Sequence, residues 1–397
     1  MATLLEARDL VTNFYTYEGV VQALDRVSLV VDHGTTFGLV GESGCGKSVS
    51  VRSIMRIVPA PGRIEDGKVL FFFDDRDRAR GVELLAQSEA AMETLRGNRL
   101  SMIFQEPNAA LNPIMTIGEQ VAESFLFHRQ EAMSRRILAD LEAEGGASFN
   151  PLNRLQRRLY ATAAQNPKAL ALRILDRLPL TRRWQARLRQ EALARAVEII
   201  GKLGIPNPRE IVGRYPHNLS GGMKQRIVIA IALACSPHLL IADEATSNLD
   251  VTIQAQILDL LRQLKRTEIA SILLITHDLG VVAETCNRVG VMYAGQLCEV
   301  ADVADLFEAP RHPYTRALLD AVPRMDQEGA LKSIAGRVPN LVTPPPGCRF
   351  HPRCPAAMPA CRRRFPETVT VGPQHAVACY LYTDQPRAPG QEGSAPP

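Results

Sequence analysis

Gly41-Glu42-Ser43-Gly44-Cys45-Gly46-Lys47-Ser48 stands between an apolar run, Phe37-Gly38-Leu39-Val40, and a segment from Val49 to Ile57 whose apolar residues recur at helical spacing. Strand, glycine-rich loop and helix in that order, with the spacing G-x-x-x-x-G-K-S, read as a polyphosphate cradle. Glycines let backbone N–H groups turn toward an anion, Lys47 reaches the outer phosphates, and Ser48 offers a hydroxyl to Mg²⁺. The plainer reading is a Gly/Ser-rich turn that ends a strand.

The chain around this loop has 397 residues, enough for two or three domains and a sizeable core, and its 46% apolar and 22% charged residues are those of an ordinary globular protein. Its 46 Lys and Arg against 42 Asp and Glu leave a formal charge of +4, too slight to argue for nucleic acid. The N-terminus, Met1 to Asp9, meets acid and base too early for the apolar region of a signal peptide. No uninterrupted apolar run approaches the roughly 18 residues that a bilayer crossing needs. The expectation is a cytoplasmic chain that reaches a membrane only through a partner.

Upstream of the loop, Leu4 to Asp32 alternates short β-type runs with turns, which predicts a small antiparallel sheet. Phe14, Tyr15 and Tyr17 lie here, and one of them is placed to stack on a base; ordinary strand-edge aromatics are the alternative. Downstream, Pro59-Ala60-Pro61-Gly62 stops the first helix, Val69 to Phe73 reads as a strand, and residues 74–80 as a charged, solvated turn. Met102-Ile103-Phe104 delivers Gln105 at a strand end, where it can touch Mg²⁺ and an attacking water; an exposed polar end-cap explains it equally well. From Ile117 to Gly204 the pattern is almost wholly helical, with stripes at Trp184, Leu188, Ala192, Ala196 and Ile200 and at Leu170, Ile174 and Leu178, broken at Gly145-Gly146. The basic face of these helices is a solvated surface in the plain reading and a contact for lipid headgroups or an acidic partner in the sharper one.

Ser220-Gly221-Gly222 opens a strongly apolar helix, a second anion-binding design. Leu239 to Ala242 is a continuous apolar run of the kind that parallel, doubly covered strands carry, and it delivers Asp243-Glu244 at its C-terminal end. Adjacent carboxylates there call for a cation beside them, which Mg²⁺ at Asp243 and a water held by Glu244 as base would satisfy. Ile272 to Ile275 likewise delivers Thr276-His277-Asp278, where His277 alone reads as a structural histidine. Ser247 to Asp250 makes a turn. Val289 to Tyr293 and Gln296 to Val300, joined at Ala294-Gly295, read as a β-hairpin with which the sheet ends.

The order of Gly41–Ser48, Gln105, Leu219–Met223, Leu239–Glu244, Ser247–Asp250 and His277 resembles the ATP-binding subunits of ABC transporters. The likeness narrows toward the oligopeptide and dipeptide (peptide/nickel) importer branch through Met102–Pro107, Leu111-Asn112-Pro113, Asp250–Gln256, Tyr293-Ala294-Gly295, Arg311–Thr315 and His351–Pro355. The resemblance implies an α/β fold: a P-loop ATPase (RecA-like) core, an antiparallel β subdomain, an α-helical subdomain with an unusual insertion and a small Cys-containing C-terminal extension. It places the nucleotide-binding domain at 1–310, with the helical subdomain at about 108–235 and the insertion at about 130–190, the extension at 311–383, and a disordered tail at 384–397. It implies an ATPase in which Tyr15 stacks on adenine, with Tyr17 a rival, and in which Gly41, Ser43, Gly44, Cys45, Gly46, Lys47, Ser48 and Val49 bind ATP. Ser48, Gln105 and Asp243 hold Mg²⁺, and Glu244, His277 and Gln105 serve hydrolysis. Ser220, Gly221 and Gly222 act on ATP held by the opposite subunit. Met223, Ala245 and Asn248 depart from the commonest residues at their places.

The partners implied are a second ABC ATPase subunit, related but different in sequence, two transmembrane permease subunits and, indirectly, an extracytoplasmic solute-binding protein, with no nucleic acid. The location implied is peripheral, on the cytoplasmic face of the inner (plasma) membrane. A soluble ABC ATPase acting on nucleic acid or ribosomes is the rival, disfavoured because the chain has one set of motifs and no sustained heptads. Four of the eight cysteines, Cys348, Cys354, Cys361 and Cys379, crowd into the tail, and in a cytosolic protein they argue for a thiolate site over disulfides. Such a set suits zinc or an iron–sulfur cluster. Spacings wider than a zinc knuckle, together with the resemblance, lean toward a 4Fe–4S cluster, with Zn²⁺ and free thiols as alternatives.

Overall fold

The structure, a computed structural model, describes residues 2–73, 81–144, 151–165, 182–246, 250–267, 271–322 and 334–383. The stripe at Leu170, Ile174 and Leu178, the charged turn at 74–80, the break at Gly145-Gly146, most of the turn before Asp250 and the 384–397 tail lie outside these residues. The chain forms two compact units, one of Met1–Met92, His238–Ala245 and Leu261–Pro397, the other of Glu93–Pro237 and Thr246–Leu260.

In the first unit, β1 (Thr3–Thr16), β2 (Gly19–Asp32), β4 (Gly62–Phe71) and β5 (Val82–Glu83) make an antiparallel sheet in the order β2-β1-β4-β5. β4 starts seven residues earlier than the sequence pattern suggests, because Gly62 to Lys68 is polar and mostly exposed yet pairs with β1. The second sheet is built on β3 (Thr36–Val40), which pairs in parallel with β8 (Ser271–Ile275) on one side and with β9 (Arg288–Tyr293) on the other. β7 (Leu239–Asp243) pairs in parallel with β8. β3, β7 and β8 are buried along their whole length, which is why they read as unbroken apolar runs.

β9 turns into β10 (Gln296–Asp302) through Ala294-Gly295, both with positive φ, the geometry of a two-residue hairpin whose twist matches its strands. The sheet does not end there, contrary to the sequence expectation. β12 (His375–Val377) adds to the free edge of β10, and β11 (Val369–Gly372) adds to β12. Those tail strands are four and three residues long, too short to announce themselves by periodicity.

Burial accounts for the tail's attachment. Phe350, 1% exposed, packs its ring 5.1 Å from that of Tyr293 and 5.2 Å from that of Tyr314, which are themselves 1% and 0% exposed. Glu299 of β10 is buried, accepts hydrogen bonds from the amides of Arg311 and His312, and lies 2.7 Å from His375 Nε2 of β12. Burial opposes ionisation of this carboxyl, but the hydrogen bonds from His375 and the two amides outweigh it and hold the carboxyl below its ordinary range. His312 is pushed down to about 4 by burial, so at neutral pH it is the uncharged ring whose Nδ1 accepts the Tyr314 amide and caps the helix Pro313–Asp320.

The second unit is mainly helical. The helix Ile117–His128 begins with a capping box in which Thr116 and Glu119 satisfy each other's amides. Leu188, Ala192, Ala196 and Ile200 of the helix Arg182–Lys202 are buried, as their spacing predicts. The helices Gln130–Glu144 and Pro151–Gln165 pack on one another. Among the described residues no helix is long and apolar enough to cross a membrane.

Truncating the Phe350 ring should cost the full chain about 3–5 kcal/mol, the usual loss for a buried phenylalanine. Phe350→Ala should therefore lower the midpoints of urea and thermal unfolding clearly; unchanged midpoints would place the tail outside the core.

Candidate functional site

The glycine-rich loop leaves the C-terminal end of β3 and closes on the helix Lys47–Ile54. Its path is one that only glycine accepts at two points. A Cβ at Gly41 would stand 2.1 Å from the Met292 carbonyl, and one at Gly46, where φ is +105°, would stand 2.8 Å from the Ala23 carbonyl. The loop thus lies flat on the β9–β10 turn, and the Gly295 amide donates to the Cys45 carbonyl at 2.8 Å.

Lys47 is 5% exposed, and its Nζ donates to the carbonyls of Gly41 at 2.8 Å and Glu42 at 3.1 Å. Among the described residues it makes no ion pair, so the buried ammonium is in contact with carbonyls and the Cys45 sulfur, while the Asp243 carboxylate feels its charge without touching it. Ser48 Oγ donates to Asp243 Oδ1 at 2.7 Å. The other oxygen of that fully buried carboxylate, Oδ2, has no hydrogen-bond partner. Burial raises the Asp243 carboxyl above its ordinary range, against the Ser48 hydrogen bond and the positive charge of Arg52. A hydroxyl and an orphaned carboxylate oxygen side by side are the oxygen donors that a hard divalent cation takes, so the residues present fit Mg²⁺.

Glu244 follows β7 with φ +47°, a left-handed conformation rare for a glutamate. Its amide donates to the Ile275 carbonyl at 3.0 Å, and its Oε1 lies 3.8 Å from Nδ1 of the exposed His277 ring. Lys47, Ser48, Asp243, Glu244 and His277 thus belong to one unit and to the ends of β3, β7 and β8. Gln105, exposed just past β6 (Leu100–Ile103), belongs to the other unit, as do Ser220, Gly221 and Gly222. Ser220 caps the helix Gly221–Leu233 by accepting the Met223 amide, and a Cβ on Gly221 would meet open space, whereas one on Gly222 would stand 3.0 Å from Ile253. Tyr15, next to last in β1, donates to Glu65 at 2.8 Å and has the Arg63 guanidinium 5.4 Å from its ring centre; Tyr17 is 98% exposed.

Cys348, Cys354, Cys361 and Cys379 line one small cavity, with His312, His351 and Met358 around it. Its volume of about 10 Å³ is the room of about one water. Among the described residues no group of three or more His, Cys, Asp or Glu is placed to hold a metal ion, and all four cysteines are free thiols. Burial raises the thiols of Cys354 and Cys379 and pushes that of Cys348 up to about 12. The donor chemistry suits a soft metal, but the arrangement as it stands does not fit one.

Three contacts to the glycine-rich loop were invisible in the sequence. The Glu42 amide donates to the Tyr314 hydroxyl at 2.9 Å, and Arg353 clamps the Glu42 carboxylate with Nη1 at 2.8 Å and Nη2 at 3.2 Å. Tyr314 and Arg353 sit in the stretches Arg311–Thr315 and His351–Pro355 that carried the family likeness, which was the only hint available.

Taken together, strand order, loop and carboxylates define a nucleoside-triphosphate-binding α/β ATPase. The family model described as ABC transporter matches residues 24–247, and that described as oligopeptide/dipeptide transporter, C-terminal region, matches residues 298–361. The chain is 42% identical, over 95% of its length and 94% of the relative's, to a protein of Sinorhizobium fredii described as a probable peptide ABC transporter ATP-binding protein, y4tR. It is 41% identical, over 96% of its length and 95% of the relative's, to the dipeptide transport ATP-binding protein DppD of Bacillus subtilis. Among solved structures, the dimeric bacterial ABC transporter cassette MJ0796 aligns over 76% of this chain and 99% of its own, with TM-score 0.52 at 19% identity, a likeness of fold. The chain belongs to the ATP-binding subunits of ABC transporters, in the branch that carries the oligopeptide/dipeptide transporter C-terminal region, and it is an ATPase.

Because burial raises the Asp243 carboxyl, folding binds a proton there more tightly than the unfolded chain does, so stability falls as pH rises from the ordinary carboxylate range through the raised value. Asp243→Asn should therefore melt higher than the parent at neutral pH without Mg²⁺, a gain that disappears as pH is lowered below that window. Mg²⁺ with nucleotide should raise the melting temperature of the parent more than that of the variant. Equal shifts on adding Mg²⁺ would remove Asp243 from the metal site.

Proposed function

We propose that the chain powers uptake of small peptides or a similar solute through a membrane importer, by closing with a second ATP-binding subunit around ATP and reopening on hydrolysis. The observation that carries the ATP chemistry is the buried Lys47 ammonium beside the Ser48–Asp243 pair, whose Oδ2 is orphaned. The solute class rests on the 298–361 match and on relatives described as peptide and dipeptide transport proteins.

In this reading Gly41 to Val49 wrap the phosphates, Lys47 exchanges carbonyl contacts for phosphate oxygens, and Tyr15 supplies a face for adenine. Ser48 and Asp243, with Gln105, would hold Mg²⁺, which supplies positive charge at the phosphates. Glu244 orients the attacking water and takes its proton, while His277, 3.8 Å away, meets the γ-phosphate. The helix end at Ser220, Gly221 and Gly222 serves the nucleotide of the opposite subunit. That second subunit is a related but different chain. Two permease subunits and an extracytoplasmic solute-binding protein complete the importer, which places this chain at the cytoplasmic face of the inner membrane. Residues 1–310 form the nucleotide-binding part, with about 130–190 an insertion into the helical subdomain, and 311–383 form the extension.

The four tail cysteines are proposed as ligands of a 4Fe–4S cluster, with zinc as the alternative. Among the described residues no three of these donors stand as a group that could hold a metal, so in this reading loading either requires the thiols to rearrange. Iron near four per chain with a broad absorption near 400 nm on anaerobic purification is expected. One zinc per chain and no colour would replace that reading by the alternative, and neither metal would end both.

Glu244→Gln should bind ATP, accumulate as a closed dimer and lose about 100-fold or more of steady-state turnover in the assembled transporter. Undiminished hydrolysis would remove Glu244 from the role of base.

A further inference from the structure

An anionic side chain in the middle of a loop built for polyphosphate is a liability. Glu42 is the second residue of that loop, and its carbonyl is one of the two that hold the Lys47 ammonium. A free carboxylate here would repel the incoming phosphates and draw on the positive field that binds them. Arg353 meets it with a two-pronged contact, Nη1 to Oε2 at 2.8 Å and Nη2 to Oε1 at 3.2 Å, the geometry in which guanidinium and carboxylate pair best. The Arg353 side chain is 5% exposed and that of Glu42 25%.

Arg353 is itself held so that it cannot swing away. Nε donates to the Ala335 carbonyl at 2.9 Å, Nη2 to the Ile334 carbonyl at 3.1 Å and Nη1 to the Tyr293 hydroxyl at 3.1 Å, and its guanidinium carbon lies 5.7 Å from the centre of the Tyr293 ring. Tyr314 adds a second fastening, its buried hydroxyl accepting the Glu42 amide. Every one of these contacts lies within one compact unit, and Arg353 reaches Glu42 across 311 residues of sequence. The insulated, fully engaged guanidinium is what a fixed counter-charge needs, whereas a lysine would bring a point charge and lose half of the fork.

We propose that Arg353 of the C-terminal extension is a positioning residue of the nucleotide site, which neutralises Glu42 and turns it away from the polyphosphate so that the glycine-rich loop presents a net positive field. The extension is then part of the ATP site in the same chain. This rests on the reading of Gly41 to Ser48 as the phosphate loop.

The test is nucleotide affinity of the purified full chain, read with a fluorescent ATP analogue at low and high salt, for Arg353→Met, Arg353→Lys and Arg353→Met combined with Glu42→Gln. Arg353→Met should weaken binding about tenfold at low salt, the size of coupling expected for a close charge pair, and less at high salt, where charges are screened. Adding Glu42→Gln should restore most of the loss, because the uncompensated charge is gone, and Arg353→Lys should fall between. Because Glu42→Gln also relieves any folding defect that its unpaired charge causes, thermal unfolding of each variant is measured alongside: an affinity loss at an unchanged melting temperature supports the proposal, and a loss that only follows the melting temperature overturns it. Parent-like affinity of Arg353→Met, or failure of Glu42→Gln to restore it, overturns the proposal. Should the methionine variant not fold, Arg353→Lys with and without Glu42→Gln carries the same comparison. Lys47→Ala, measured alongside, separates the two readings: undiminished binding there would remove the phosphate-loop assignment itself, while lost binding with parent-like Arg353 variants would remove only this proposal.

Discussion

The ammonium of Lys47, buried against the carbonyls of Gly41 and Glu42, is the constraint on which the arrangement around it depends. A cation withdrawn from water with no anion in contact is costly until one arrives. The loop around it is fixed from several sides. The Gly295 amide fixes the Cys45 carbonyl, the Tyr314 hydroxyl fixes the Glu42 amide, and the close approach of the Met292 and Ala23 carbonyls fixes the path at Gly41 and Gly46. Prior ordering of this kind lowers the entropy that binding must otherwise spend on arranging donors.

The C-terminal extension supplies part of this ordering, through Tyr314 and Arg353. It lengthens the central sheet by two strands, buries Phe350 among Tyr293 and Tyr314, and caps Glu299 with His375. Arg349 makes the same point from below the loop. It is 2% exposed and donates to the carbonyls of Gln22 and Ala294 and to the carboxylate of Asp25, tying β2 to the β9–β10 turn. Arg349 and Arg353 lie four residues apart, and both satisfy groups of the glycine-rich loop or its immediate support. Cys348, His351 and Cys354, which help to line the cysteine cavity, lie in the same stretch of chain as the two arginines.

The parts legible in the sequence were those whose physics is local. β3, β7 and β8 announced themselves because strands covered on both faces must be apolar throughout, and the loop did so because a phosphate cradle needs glycines and a lysine at fixed spacing. The hairpin at Ala294-Gly295 was legible from its turn. The start of β4 at Gly62 was not, since a strand with a solvated face can be polar where its backbone pairing decides the matter. β11 and β12 were not, because three or four residues cannot display a period. The Arg353–Glu42 pair was out of reach for a different reason: two charges hundreds of residues apart carry no pattern until the chain has brought them together.

Glu244 shows how such non-local support permits a local departure. Left-handed backbone at a residue with a Cβ costs about 1–2 kcal/mol. The turn is held because the Glu244 amide finds the Ile275 carbonyl at the end of β8, which keeps a hydrogen bond that the kink would otherwise lose. One consequence is that neighbouring carboxylates are separated in environment. Asp243 is fully buried against Ser48, while the Glu244 side chain, 18% exposed, comes within 3.8 Å of His277. Two acids that a regular strand would send to opposite faces of the sheet are instead delivered at one end of it, one fully buried and raised toward its protonated form, the other partly exposed. The left-handed turn at Glu244 thus coincides with two adjacent carboxylates that differ in burial and in partners.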